Sequence, residues 1–203
     1  MGAAYFKAAI PEPYRILGLK LKPFSLGHYF ILRRFECSFV DDEKATATLE
    51  DLIFAVSVCS MSYKDFLEFI ERKYYPWWSV LLSWVWPWHR PKPRFVWPRE
   101  ARKWGKQAGL FDFKSKVALF MQYLNEATEQ PQYWVEEEGK PSGAHWAQAL
   151  YDSLIGQVGY TQEQALNNPL AQCLSDFYRH AESVGSVRLM TDQEVEVING
   201  AQA

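Results

Sequence analysis

TLEDLIFAVSVCSMSYKDFLEFIERKY, residues 48–74, decides the fold class, because two helix starts follow one another within a single run. Thr48 has the side chain of a helix cap and stands directly before Leu49, Leu52, Ile53 and Val56, which share a face at helical spacing. Ser62 repeats the arrangement before Tyr63, Phe66, Leu67, Ile70 and Tyr74. Apolar stripes about 100° wide are unstable in water and must be covered by other helices. The run predicts helix packed on helix.

Working outward, Ser25 caps a helix with Leu26, Tyr29 and Phe30 at i, i+3 and i+4. Before it, residues 14–22 alternate Ile16, Leu17, Leu19 and Leu21 with Arg15, Lys20 and Lys22, the pattern of a short strand or an extended arm. Beyond the centre, Asp112 caps a helix bearing Phe113, Val117, Phe120, Met121 and Leu124, and residues 130–143 read as a loop. Residues 145–155 are expected to be helical, with Trp146, Leu150, Ser153 and Leu154 on one side. Thr161 with Gln164, and Thr191 with Glu194, have capping-box spacing at two further helix starts. Pro169 fits the first position of a helix carrying Leu170, Cys173, Leu174, Phe177 and Ala181.

The middle breaks this pattern. Pro76, Pro87, Pro91, Pro93 and Pro98 remove backbone donors and force their neighbours out of helical geometry. Residues 77–86 can form at most a short helix, and residues 88–98 should be extended. The expected architecture is therefore mostly α: an N-terminal helical module over residues 1–75, a Pro/Trp-rich basic connector over 76–110, and a C-terminal helical module over 111–203.

Charge follows the same divisions. The chain has 203 residues and a net charge of -2, but residues 1–85 are neutral, residues 86–116 carry +7 and residues 117–203 carry -9. Apolar content of 48% with 16% aromatic residues excludes intrinsic disorder for most of the chain. The near-zero total excludes a global basic field for nucleic acid. Cys37, Cys59 and Cys173 are odd in number and far apart, which excludes a disulfide framework and suits a reducing compartment. Residues 1–11 lack an apolar run of signal-peptide length, and the uncharged run at 74–88 is broken by Pro76 and Pro87, so a soluble or peripheral protein is expected.

Catalytic signatures are missing: no Walker loop, GxGxxG, GxSxG or HExxH occurs. Asp176 and His180 lie at i, i+4, where an acid–base or metal pair could form, although a solvent-facing ion pair is the plainer outcome. The acidic runs 41–43 and 136–138 lack the spaced ligands of a calcium loop and read as solvated turns. Cys59 and Cys173 sit on apolar stripes, as buried small hydrophobes do. The expectation is a non-enzyme, with no catalytic residue, metal site or cofactor.

Seven of the nine Trp lie between Trp77 and Trp104, interleaved toward the end with basic residues. Such a mixture can anchor a partner chain, lie in a membrane interface, stack single-stranded nucleic acid, or simply fill the protein's own core. Partner contact is expected through Trp77, Trp78, Trp84, Trp86, Trp88, Arg90, Arg94 and Trp97, with the rings as anchors and Arg fixing orientation.

Four segments resemble small proteins encoded among phage and prophage tail genes. In front these are PFSLGHYFILRRFECSFV (residues 23–40) and TLEDLIFAVSVCSMSYKDFLEF (48–69), with Leu26-Gly27-His28 and Val58-Cys59-Ser60 as landmarks. Behind, FMQYLNEATEQPQYW (120–134) and the stretch from Gly159 to Ile198, with its Glu-x-Ala-Leu-Asn-x-Pro-Leu turn, resemble tail-assembly chaperones of siphophage type. The resemblance implies a helical, non-enzymatic morphogenesis factor in the bacterial cytoplasm. Its partners would be the tape-measure protein and the tail-tube protein. Self-association through the opposed basic and acidic fields is a second expectation, whereas nucleic acid is not an expected partner and membrane contact is disfavoured. The alternatives are a structural connector or tail-completion protein that stays in the virion, and a peripheral membrane protein acting through the Trp-rich segment.

Overall fold

A computed structural model describes residues 14–41, 46–74, 112–135 and 143–201. Over these residues the protein is mostly helical, with eight α-helices and two small antiparallel ribbons. The expected short helix and extended stretch at 77–98 lie outside the described residues. The chain divides into two compact units, whose described parts are residues 15–22, 31–41, 46–74 and 112–120 in one, and 14, 23–30, 121–135 and 143–201 in the other. Two helices, α1 (Leu26–Arg34) and α4 (Phe113–Thr128), give residues to both.

In the first of these units the alternating segment forms a hairpin. Strands β1 (Arg15–Ile16) and β2 (Leu19–Lys20) pair as Arg15↔Lys20 and Ile16↔Leu19. The two-residue turn between them has positive φ at both positions, 53° at Leu17 and 77° at Gly18. This is the twist a tight hairpin prefers, and it suits glycine but strains leucine. Leu17 is buried, so burial of its side chain opposes that strain.

Helix α2 (Leu49–Cys59) starts with a full capping box: Asp51 N–H donates to Thr48 Oγ1 at 3.1 Å, and Thr48 N–H donates to Asp51 Oδ2 at 3.2 Å. The same carboxylate accepts from Ser38 Oγ at 2.9 Å. Leu52 to Cys59 are all buried, so this helix is enclosed on every side rather than along one stripe. Leu49, placed on the stripe by its spacing, is exposed. The buried Ser57 hydroxyl is satisfied by donating to Ile53 C=O at 2.6 Å. Thr48→Ala should cost about 1 kcal/mol, and Asp51→Ala about 2 kcal/mol because it also strands Ser38; urea titration of the two variants checks the order.

Helix α3 (Tyr63–Tyr74) is capped by Ser62, whose Oγ accepts from Asp65 N–H at 3.1 Å. Hydrogen bonds from the Ser62 hydroxyl and backbone hold the Asp65 carboxyl below its ordinary range. Phe66 is fully buried and meets Phe54 edge-on with centroids 6.5 Å apart, while Leu67 is exposed. Phe120 of α4 is likewise fully buried, 4.8 Å from the Phe39 ring.

The other unit is assembled around the start of α1. Ser25 and His28 are both buried and form a capping box with histidine in the usual Glu or Gln place: Ser25 N–H donates to His28 Nδ1 at 3.2 Å, and His28 N–H to Ser25 Oγ at 3.4 Å. Phe24 C=O accepts from Leu170 N–H at 2.7 Å, which satisfies one orphan donor at the head of a distant helix. That helix, α7 (Leu170–Ser183), has Pro169 as an extended N-cap, ψ 131°, rather than as its first helical residue. The reason is tertiary, since Pro169 forms a β-bridge with Ser25.

Helix α5 (Trp146–Ser153) buries Ala147 and Leu150, followed by the buried Leu154, and leaves Trp146 43% exposed. The buried arc is thus rotated from the expected side. The helix continues as a π-turn (Leu154–Val158) that ends at Gly159, φ 87°, where a side chain would be strained. Helix α6 (Gln162–Asn167) has the expected Thr161–Gln164 box. The expected loop at 130–143 contains a strand, β3 (Tyr133–Val135), paired with β4 (Val187–Leu189) as Tyr133↔Leu189, Trp134↔Arg188 and Val135↔Val187. Helix α8 (Asp192–Ala201) closes the described chain, with Thr191 and Glu194 as its box.

Candidate functional site

The eight residues expected to contact a partner, Trp77, Trp78, Trp84, Trp86, Trp88, Arg90, Arg94 and Trp97, all lie outside the described residues. What the structure places is polar and aromatic chemistry within the unit built on α7.

Asp176 does not pair with His180. Its Oδ2 instead accepts from the hydroxyl of Tyr160, two residues past the π-turn, at 2.5 Å. Burial first, and the carboxylate second, push the Tyr160 hydroxyl well above its ordinary range. Cys173, one helical turn before Asp176, is fully buried, and burial pushes its thiol up to about 12, with Asp176 adding to the effect. A thiol so placed stays protonated at neutral pH and is a poor nucleophile. All three cysteines are buried thiols, which for Cys59 and Cys173 is the outcome expected on their apolar stripes.

A second group surrounds the head of α5. His145 is its N-cap, with Nδ1 accepting from Ala147 N–H at 3.3 Å. In the neutral ring the proton therefore sits on Nε2, which can donate to Tyr29 Oη at 3.2 Å. Trp146 meets Tyr29 edge-on at 4.8 Å and keeps part of its indole in solvent. Histidine serves here as a helix cap held against a phenol.

The β3–β4 ribbon forms the third group. Tyr133 stacks at 4.6 Å on Tyr178, whose hydroxyl donates to Gln130 Oε1 at 2.9 Å. Burial, with Tyr133 next in importance, pushes the Tyr178 hydroxyl up. On the opposite face Trp134 is 45% exposed beside its cross-strand neighbour Arg188, which is paired with Glu194 at 2.8 Å. Val135 is 62% exposed. Tyr-Trp-Val is a β-favouring run, and Val187-Arg188-Leu189 alternates; those are the signals by which the ribbon could have been found.

The Arg188 bond and the Thr191 backbone and hydroxyl hold the Glu194 carboxyl down at about 2. A depressed carboxylate stabilises the fold above its ordinary value of 4.5, and that contribution disappears as pH falls toward 2. Helix α8 should accordingly fray over that interval, with the Thr191 amide losing protection relative to its intrinsic exchange rate at each pH, and Glu194→Gln should blunt the response.

Among the described residues no group of three or more His, Cys, Asp or Glu is placed to hold a metal ion, and no helix is long and apolar enough to cross a membrane. Compared with protein families, curated proteins and solved structures, the chain matches none.

Proposed function

We propose that this protein is a non-enzymatic binding factor of phage tail assembly, acting in the bacterial cytoplasm on the tape-measure and tail-tube proteins. The assembly half of the reading is supported by the tail-gene resemblance of residues 23–40, 48–69, 120–134 and 159–198. The observation that carries the binding half is the pair of partly exposed indoles, Trp134 and Trp146, in a strongly acidic part of the chain. Trp combines a large apolar area with few rotatable bonds, which makes it an effective anchor for another chain. A tape-measure chain exposes long apolar helical stripes before the tail closes around it, and a helical host can cover them groove by groove.

Co-expression with the tape-measure protein of the same tail gene cluster tests the reading. The expected result is a co-purifying complex and a larger soluble fraction of the tape measure. An unchanged soluble fraction with no complex would overturn it. Mass spectrometry of finished virions should find the protein missing; its presence at fixed copy number would instead favour a structural connector.

A further inference from the structure

The geometry points to the free edge of β3 as a docking site for an extended, positively charged peptide segment of another protein, added as a third strand. Met190 N–H donates to Gln132 C=O at 3.0 Å, so that pair is hydrogen-bonded, and the register makes Trp134 and Arg188 the next hydrogen-bonded pair. The backbone N–H and C=O of Tyr133 and Val135 are thereby directed away from β4. Among the described residues nothing bonds those outward groups. On the opposite edge the outward N–H of Leu189 is already taken, donating to Glu182 Oε1 at 3.0 Å. The β3 edge thus offers up to four backbone bonds.

Unpaired edges are normally guarded by lysine, proline or a bulge, and β3 carries none of these. It presents Trp134 on one face and Val135 on the other, both exposed. An added strand alternates its side chains in the same way. Basic residues would lie beside the Trp134 ring, where a cation is attracted to the indole face, and apolar residues beside Val135.

Charge selects the occupant. Residues 117–203 hold twelve acidic and three basic side chains, and Glu136, Glu137 and Glu138 follow β3 directly in sequence. Arg188, the one basic residue of the ribbon, is neutralised by Glu194. Edge-to-edge pairing with the same ribbon of a second copy would set two negative fields together and be repelled, whereas a strand bearing Lys or Arg at alternate positions is attracted.

The test uses the full chain and a short end-capped peptide alternating Lys and Val. Saturable binding that weakens with added salt is expected, together with slowed amide exchange at Tyr133 and Val135. N-methylating the peptide backbone on its pairing side should weaken binding about tenfold, through the loss of two or so hydrogen bonds. Val135→Pro should do the same, since it removes an outward donor without touching a bond to β4. Should that variant misfold, the N-methylated peptide still decides, because the protein is unaltered. Equal binding of a Glu/Val peptide, or of the N-methylated one, would overturn the proposal. So would a dimer of the chain that Val135→Pro returns to monomer, which would make a second copy the occupant.

Discussion

Between pH 8 and pH 11 the unit built on α7 should lose about 3 kcal/mol of stability through the Cys173 thiol alone. The ordinary value of 9.0 applies in the unfolded chain, and burial raises it to about 12 in the fold. Above pH 9 the unfolded state sheds this proton while the folded state keeps it, so stability falls as pH rises until the folded value is reached. Each pKa unit corresponds to about 1.4 kcal/mol. Tyr160 and Tyr178 push in the same direction above pH 10, since both hydroxyls are raised chiefly by burial. Denaturant titrations at stepped pH check this, and Cys173→Ala isolates the thiol. That variant starts less stable because it leaves a small cavity, but its slope against pH between 9 and 11 should be clearly shallower. An unchanged slope would show that the thiol ionises at its ordinary value in the fold.

Truncating Phe66 to alanine should cost about 4 kcal/mol. The ring is 0% exposed and packs edge-on against Phe54, which lies in the fully enclosed stretch of α2. Removing it leaves a cavity among side chains that are themselves held by neighbours, so little collapse can follow. Leu67→Ala, one residue along on the same helix, should stay within about 0.5 kcal/mol because its side chain is already 38% in water. Thermal melts of the two variants would read the contrast directly.

That contrast also marks what the sequence could and could not convey. Phe66 and Leu67 belong to one apolar stripe by spacing, and only packing tells the buried ring from the exposed leucine. Helix starts were the most legible feature. Ser25, Thr48, Ser62, Thr161 and Thr191 all accept a backbone N–H within their own first turn, a local reaction that needs no tertiary information. The ribbon was not legible in the same way, since three residues of β3 find their partners more than fifty positions away, inside a segment rich in turn formers. Pro169 reads as the first residue of its helix, and only the long-range bridge to Ser25 holds it one position outside, as the N-cap. The Asp176–His180 spacing was real, but Tyr160 competes for the carboxylate from outside the helix. Of the candidate site, the eight central residues lie outside the described part of the chain, while Trp134 falls in a stretch whose sequence reads as loop and Trp146 on the helix side shared with Leu150, Ser153 and Leu154.

The contact between Tyr29 and His145 joins side chains 116 positions apart, and Phe24 meets Leu170 over a still longer interval. During synthesis the start of α1 leaves the ribosome long before either partner has been translated. Until residue 170 emerges, the Phe24 carbonyl and the Tyr29 phenol must wait without their native neighbours, and the nascent chain presents the greasy side of α1 to water. Closing such distant loops is slow compared with winding a helix. Stop codons placed before Leu170 should therefore yield products that aggregate or are degraded, rather than a smaller folded protein.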